Sequence, residues 1–210
     1  MPLIIAVDGP AASGKGTVAS ALARHSALPY LDTGLLYRAV GVQAAAAGLS
    51  LDDAEAAARI AAGLDASTLD NPAYRTRGAG EAASRVAVHA PVRQALLDLQ
   101  RRFAADPRGA VLDGRDIGTV IAPHAPAKLF VTASPQVRAD RRWKQLCGQG
   151  EDVAFDAVLA DIRLRDERDA GRAAAPLVQA ADAHLLDTSE MSLEAAFREA
   201  LDLVERARGS

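Results

Sequence analysis

The chain opens on an unbroken apolar run, Leu3-Ile4-Ile5-Ala6-Val7, closed by Asp8-Gly9-Pro10. A short run rich in branched side chains and without polar alternation predicts a strand buried on both faces, as in the middle of a parallel sheet. After a loop of small residues, a helix is expected from about Gly16 to His25. Another is expected after Leu31-Asp32-Thr33-Gly34, with Thr33 as its N-cap. Asp52 to Gly63 is Ala-rich and reads as helix, whereas Leu64 to Arg77 mixes Ser, Thr, Asp, Asn, Pro and two arginines without period and reads as a loop or hinge. From Pro91, which suits a first helical turn, Val92, Leu96, Leu99 and Phe103 keep helical spacing, with Arg93, Gln94, Arg101 and Arg102 on other faces.

Further strands are predicted at Ala110–Asp113, Lys128–Thr132 and His184–Asp187, each followed by turn or cap residues. Helical patterns cover Pro135–Cys147, Phe155–Arg168 and Ser192–Arg208, the last with Leu193, Phe197, Leu201 and Val204 on one stripe. Strands alternating with helices imply an α/β fold built on a doubly wound parallel sheet flanked by helices. Gly148-Gln149-Gly150-Glu151-Asp152 interrupts one helical stretch and marks a small mobile lid.

Composition narrows this picture. The 210 residues fit one domain, and 50% hydrophobic with 24% charged residues is ordinary globular usage. A formal net charge of −3 offers no bulk attraction for nucleic acid or anionic lipid, so neither is expected as a partner. Lysine occurs only at Lys15, Lys128 and Lys144, every other basic residue being arginine, so a lysine at a telling position carries weight. The single cysteine, Cys147, allows no intramolecular disulfide and no Cys-based metal site. The first residues lack a basic region and a sufficient apolar run for a signal peptide, and no later run approaches spanning length. A soluble, cytoplasmic protein is expected.

Gly9-Pro10-Ala11-Ala12-Ser13-Gly14-Lys15 satisfies G-x-x-x-x-G-K between a buried strand and a helix, the context that the phosphate-binding loop requires. Backbone N–H groups freed by small residues wrap a polyphosphate, the helix N-terminus adds partial positive charge, and Lys15 spans the β and γ oxygens. The segment Gly9 to Thr17 is therefore read as the ATP site of a P-loop NTPase fold. The bland alternative is a Gly/Ala-rich turn with a solvated Lys15, which would put one of three lysines at the motif position by accident. Gly16 stands where the pattern has Ser or Thr for Mg2+, and the hydroxyl is displaced to Thr17.

Asp113 ends a strand at the carboxyl edge of the sheet, where ligands bind in open α/β folds, and is a candidate to hold Mg2+ directly or through water. Arg115 and Asp116 follow in the same loop, between Gly114 and Gly118; a structural Asp–Arg pair capping a turn is the alternative. Arg165, Arg168, Asp169 and Arg172 are spaced by three and four and share one face if the helix persists, so that three guanidinium groups would bracket one carboxylate. A salt-bridged solvent face is the competing reading of that charge run.

Gly14-Lys15-Gly16-Thr17 resembles the loop of the nucleoside monophosphate kinases, and further segments are similar to the bacterial cytidylate kinases almost from end to end. These are Asp8-Gly9-Pro10, Leu31-Asp32-Thr33-Gly34 with Tyr37-Arg38, Ala83-Ser84-Arg85-Val86-Ala87, Asp113-Gly114-Arg115-Asp116-Ile117-Gly118-Thr119, and Arg165-Asp166-Glu167-Arg168-Asp169 with Arg172 and Ala175-Pro176-Leu177. The resemblance implies that Arg38, Arg115, Arg165 and Arg172 hold the acceptor phosphate or the transferring group, that Asp169 lies near the sugar, and that Thr33 belongs to the substrate set. It also points to Ser84, Arg93 and Asp116 for the base. Chemistry agrees, because cytosine offers an N4 amino donor to a carboxylate and N3/O2 acceptors to a guanidinium. The resemblance further implies one domain, 1–210, with an acceptor-binding arm roughly at 34–104 and a lid roughly at 145–160 that close over the substrates. Many bacterial members carry a β-rich insert in the arm; here only about Leu64 to Arg77 occupies that place, without strand-like alternation. Thr76 and Arg77 are expected to line the hinge.

The expected activity is transfer of the γ-phosphoryl group of ATP to CMP or dCMP, with Mg2+, by a monomer. The competing readings are a P-loop kinase for UMP, AMP or a small alcohol such as shikimate, and a nucleotide-binding regulatory module that transfers nothing. Against the second stands the clustering of arginines, which a switch does not need, and the absence of a guanine-reading Asn-Lys-x-Asp.

Overall fold

The computed structural model describes residues 2–208. The chain resolves into two compact units, Met1–Leu31 with Ala104–Ser210, and Asp32–Phe103.

The first unit is built on a sheet. Strand β1 (Ile4–Asp8) pairs in parallel with β3 (Ala110–Gly114), in the register Val7 opposite Asp113, and with β4 (Ala127–Thr132), with Val7 opposite Leu129. Strand β5 (His184–Asp187) extends the sheet beyond β4, and β2 (Tyr30–Asp32) lies outside β3, giving the order β2-β3-β1-β4-β5. The predicted central strand is central: Ile5, Ala6 and Val7 are fully buried. β2 escaped prediction because three residues with one buried position carry no period.

Helices α1 (Lys15–His25) and α8 (Leu193–Arg208) supply Val18, Leu22, Ala196, Ala200 and Val204 to a core shared with Ile5, Val7, Leu129 and Val131. A smaller cluster joins α6 (Pro135–Gly148) to α7 (Phe155–Ala170) through Ala139, Leu146, Val158 and Ile162, with Trp143 edge-on to Phe155. The segment between these helices is a turn, with Gly150 at φ +85° and the Trp143 indole N–H donating to Val153 O at 2.9 Å.

The second unit is helical: α2 (Thr33–Ala46), α3 (Ala54–Ala62), α4 (Arg77–Val86) and α5 (Ala90–Ala104). Gly41 of α2 lies so close to α4 that a Cβ there would sit 2.7 Å from Ala82 Cβ and 2.8 Å from its carbonyl carbon. The stretch expected to be a loop holds two short 3-10 turns, Ala66–Thr68 and Pro72–Arg75, and no strand. Asp65, Asn71 and Thr76 cap it by accepting backbone hydrogen bonds from Ser67, Ala73 and Ala79. One expected cap is corrected: Asp32, extended at φ −78° and ψ 98°, is the N-cap of α2, and Thr33 is already its first helical residue. The chain enters the helix directly from β2, so the last strand residue takes the capping position. Among the described residues, no helix is long and apolar enough to cross a membrane.

Candidate active site

β1 delivers the chain into the glycine loop. Gly9 has φ +152°, and a Cβ on it would lie 2.0 Å from Val131 O, so only glycine lets β1 and β4 stay paired there. Gly14 (φ +89°) and Ala12 (φ +59°) are left-handed, the latter at a local cost of about 1 kcal/mol. Helix α1 starts at Lys15 with no side-chain cap and no acidic residue in its first turn, and the partial positive charge of such an N-terminus suits an anion.

The loop's carbonyls are tied down from behind. Ala11 O accepts from Arg138 Nη1 at 3.3 Å, and Ser13 O accepts from Thr188 Oγ1 at 2.9 Å and Arg141 Nη1 at 3.3 Å. Because C=O and N–H point oppositely across a trans peptide, anchoring these oxygens turns the intervening N–H groups the other way. The buried Ser13 hydroxyl has no hydrogen-bond partner among the described residues.

Asp8, just before the loop, accepts from Ile117 N at 2.8 Å and Gly118 N at 2.7 Å. It thereby fixes the wide, π-helical turn Ile117–Ile121 immediately after Arg115 and Asp116. Burial pushes the Asp8 carboxyl up to about 7; the Gly118 and Ile117 N–H groups and Lys15 oppose this, while Asp116 adds to it. Asp116 itself is buried at 5% exposure.

Asp113 is also buried, and its Oδ2 accepts from the Tyr30 hydroxyl at 2.8 Å. A Cβ on residue 16 would stand 2.9 Å from that same oxygen and 3.6 Å from the Tyr30 hydroxyl, which accounts for glycine in place of the usual Ser or Thr.

Asp169 is fully buried, accepting from Arg115 Nε at 2.7 Å and from Arg172 Nη2. Burial alone would raise its pKa, but Arg115, Arg172 and Arg165 together outweigh it and hold the carboxyl at about 2. The expected single helical face needs correction. α7 ends at Ala170 with Gly171 as its cap, so Arg172 lies past the helix and returns to Asp169 through the turn. Glycine suits that turn, because a Cβ on residue 171 would lie 3.0 Å from Glu167 O. A guanidinium from another segment, that of Arg115, also acts on Asp169.

Asp166, on the same helix, receives a bidentate pair from the buried Arg138, Nη1 to Oδ1 at 2.9 Å and Nη2 to Oδ2 at 2.6 Å. Arg138 also donates from Nε to Ala133 O at 2.8 Å. One guanidinium thus joins the glycine loop, the end of β4 and the arginine helix.

Of the other lysines, Lys128 is buried and donates to Pro123 O at 2.6 Å and to Asp182, while Lys144 pairs with Asp140 one turn away on α6.

In the second unit Thr33 is buried at the start of α2, and Arg38 donates from Nη1 to Tyr74 O at 3.2 Å. The Arg93 guanidinium lies over the Tyr37 ring, 5.5 Å from its centroid. Ser84 is 1% exposed on α4, and its hydroxyl has no hydrogen-bond partner among the described residues.

Sequence reasoning gave no role to Tyr30, Asp8, Arg138 or Asp166. Asp8 and Asp166 lie inside segments that carried the family resemblance, but no spacing rule tells which carboxylate in Arg165-Asp166-Glu167-Arg168-Asp169 faces which arginine.

The donor set suits magnesium. Asp113 at the end of β3 and Thr17 in the first turn of α1 offer hard oxygen ligands. Hard oxygen donors of this kind suit Mg2+, which commonly uses one or two carboxylates together with substrate phosphates.

Three comparisons place the chain among known proteins. The sequence model of the family described as "Cytidylate kinase" matches residues 5–206. The chain is 68% identical over 208 residues to the cytidylate kinase of Caulobacter sp. strain K31, covering 99% of this chain and 96% of that one. It is 64% identical over 206 residues to the cytidylate kinase of Xanthobacter autotrophicus strain Py2, covering 98% and 99%. Among solved structures, an uncharacterized protein from Eubacterium ventriosum superposes with a TM-score of 0.59 at 14% identity, covering 98% of this chain and 99% of that one, a likeness of fold.

Proposed function

The chain belongs to the cytidylate kinase family, and from that premise we propose that it transfers the γ-phosphoryl group of ATP to CMP or dCMP, giving ADP with CDP or dCDP. It is a nucleoside monophosphate kinase, a phosphotransferase. The observation that carries the reading is the buried cluster of Asp169 with Arg115, Arg172 and Arg165 in the same unit as the glycine loop. A protein that only binds a triphosphate has no use for two arginines bonded to one buried carboxylate and a third close enough to act on its charge.

Two polyanions must meet in line before a phosphoryl group can pass between them, and catalysis is mostly charge compensation and positioning. The glycine loop, Gly9 to Thr17, binds ATP, and Lys15 neutralises the β and γ oxygens. An oxygen of the acceptor phosphate attacks the γ phosphorus while the bond to the β,γ-bridging oxygen breaks, and no covalent enzyme intermediate forms. The acceptor phosphate is largely dianionic at neutral pH, so the step needs no general base. Arg115, Arg165 and Arg172 stabilise the charge on the transferring group, and bidentate guanidinium contacts suit that task.

On the acceptor side we assign Arg38 to the phosphate with Arg115, Arg165 and Arg172, Asp169 to the sugar, and Thr33 to the substrate set. Ser84, Arg93 and Asp116 are assigned to the base. The hydroxyl of Thr17 and the carboxylate of Asp113 would hold Mg2+, directly or through water. The ion would draw charge from the β and γ oxygens when bound.

We assign the acceptor-binding arm roughly to 34–104 and the lid roughly to 145–160 of one kinase domain, 1–210. A monomer in the cytoplasm completes the proposal; the single exposed cysteine suits a reducing compartment.

A coupled ADP-release assay with CMP, dCMP, UMP, AMP, shikimate and no acceptor tests the reading. Turnover with CMP and dCMP is expected. Preference for UMP or AMP would overturn the base assignment, and equal ADP release without acceptor would overturn the kinase.

A further inference from the structure

Two features of the glycine-loop end of the sheet converge on one oxygen atom. Asp113 closes β3 and is 2% exposed, and its Oδ2 accepts a 2.8 Å hydrogen bond from the hydroxyl of Tyr30, the first residue of the neighbouring strand β2. From the other side residue 16, in the first turn of α1, would bring a Cβ to 2.9 Å from the same Oδ2 if it were anything but glycine. The carboxylate of Asp113 thus fills the space that a side chain following the loop lysine would otherwise occupy.

We propose that Tyr30 is a positioning residue for the metal of the transfer step, holding the Asp113 carboxylate in one rotation in the space that Gly16 leaves open. The inference rests on the assignment of Asp113 to Mg2+ made above.

The argument is one of geometry. An aspartate has two side-chain torsions, and its terminal one is broad, so a carboxylate without a fixed partner samples many orientations of its two oxygens. A phenolic O–H bonded to a carboxylate oxygen is a charge-assisted contact, stronger than one between neutral groups. With Oδ2 committed to the Tyr30 hydroxyl, the plane of the carboxylate is set by an element outside the glycine loop. Tyr30 is itself held by its ring, which packs against the core cluster that contains Val18, Leu22 and Val111. The bond therefore transmits the rigidity of the sheet and core to a metal-side group, as outer partners of metal ligands do elsewhere.

The same geometry explains why the hydroxyl of this loop is displaced by one position. A Ser or Thr at residue 16 would have to push Oδ2 aside, and Oδ2 is held by Tyr30. Glycine at 16 and hydroxyl at 17 are thus the counterpart of the Tyr30–Asp113 bond.

Calorimetry separates this role from a structural one, with ATP titrated into the enzyme in the presence of EDTA and again with Mg2+. In Tyr30→Phe, which keeps the ring and its packing, metal-free ATP should bind as in the wild type. The gain in affinity that Mg2+ confers should fall by about tenfold, within the usual range for loss of an outer partner of a metal ligand. Turnover of Tyr30→Phe should recover as Mg2+ is raised, with the KM for CMP unchanged.

Asp113→Asn distinguishes the failures. If it and Tyr30→Phe both lose the Mg2+-dependent part alone, the proposal stands. If Asp113→Asn loses it and Tyr30→Phe keeps it, Tyr30 has no positioning role and the metal assignment survives. If Asp113→Asn keeps it, the metal assignment fails and the inference fails with it. An equal loss of metal-free and Mg2+-dependent binding in Tyr30→Phe would mark a residue that only shapes the loop, and would overturn the proposal.

Discussion

Arg115 and Asp169 stand 54 positions apart in the chain, yet the guanidinium Nε donates to the buried carboxylate at 2.7 Å. The bond joins the loop after β3 to the last turn of α7, and Arg172 closes on the other oxygen from beyond the helix end. Asp169 therefore orients two of the arginines assigned to the transferring group, in addition to any contact with the sugar.

Asp169→Asn should accordingly lower both stability and activity. The folded carboxyl titrates at about 2 against an ordinary value of 3.8, so its pairing contributes stability that is fully present above pH 3.8 and lost as pH falls through about 2. Urea unfolding at neutral pH should show the variant weaker by about 2–4 kcal/mol. The gap should close as pH falls towards 2. A gap independent of pH would show that the ion pairs do not stabilise the fold.

Lys15→Met should reduce kcat by about a hundredfold or more, with a melting temperature close to the wild type, because the side chain acts on the charge of the β and γ oxygens. Near-normal turnover would refute its role.

Asp116→Asn tests base reading separately from phosphoryl transfer. A carboxylate matches the cytosine amino donor, and uracil presents a carbonyl there, so mispairing is worth a few kcal/mol, on the order of a hundredfold in kcat/KM. The variant should narrow the ratio of CMP to UMP turnover more than it lowers the melting temperature. An unchanged ratio would contradict the assignment.

Gly41→Ala should destabilise the helical unit even though alanine is the better helix former by about 1 kcal/mol. The new methyl group would meet the Cβ and backbone of Ala82 at 2.7 and 2.8 Å, and backbone cannot move aside as the tip of a flexible side chain can. Overpacking of this kind costs about 1–3 kcal/mol, for a net loss of about 1 kcal/mol in chemical unfolding. A stabilised variant would mean that α2 and α4 separate freely.

Asp166→Ala strands the buried guanidinium of Arg138, which otherwise bridges Asp166 and Ala11 O. The expected loss is about 3 kcal/mol, with a higher KM for ATP because the glycine loop loses a tether. Replacing both partners by apolar residues should recover part of the stability but not the KM. If the two single losses simply add in the double variant, the pair is not coupled.

The layout of the first unit was largely legible from pattern. A buried run at Ile4–Asp8, the G-x-x-x-x-G-K loop and alternating strand and helix segments suffice for a parallel sheet with a phosphate-binding loop. They suffice because burial on both faces and backbone wrapping of an anion each demand particular residue types in consecutive positions. The third strand of the chain, β3, and its terminal Asp113 were likewise predictable from an apolar run that stops at a carboxylate. Ser84 was named through resemblance alone, and its burial could not have been read from an Ala-rich helix in which every face looks alike.

By itself the sequence determined the order of elements, the donor loop and the residue types available for an acceptor, because those depend on short-range periodicity and on contiguous motifs. Only the tertiary structure decided which of those groups act together: that Arg115 closes on Asp169, that Arg138 ties Asp166 to the loop, and that Tyr30 bonds Asp113 in the space left by Gly16. The reason is physical. Such pairs join separate strands and helices whose relative placement follows from packing of the sheet and its core, and no local spacing encodes which carboxylate a distant guanidinium or hydroxyl will reach.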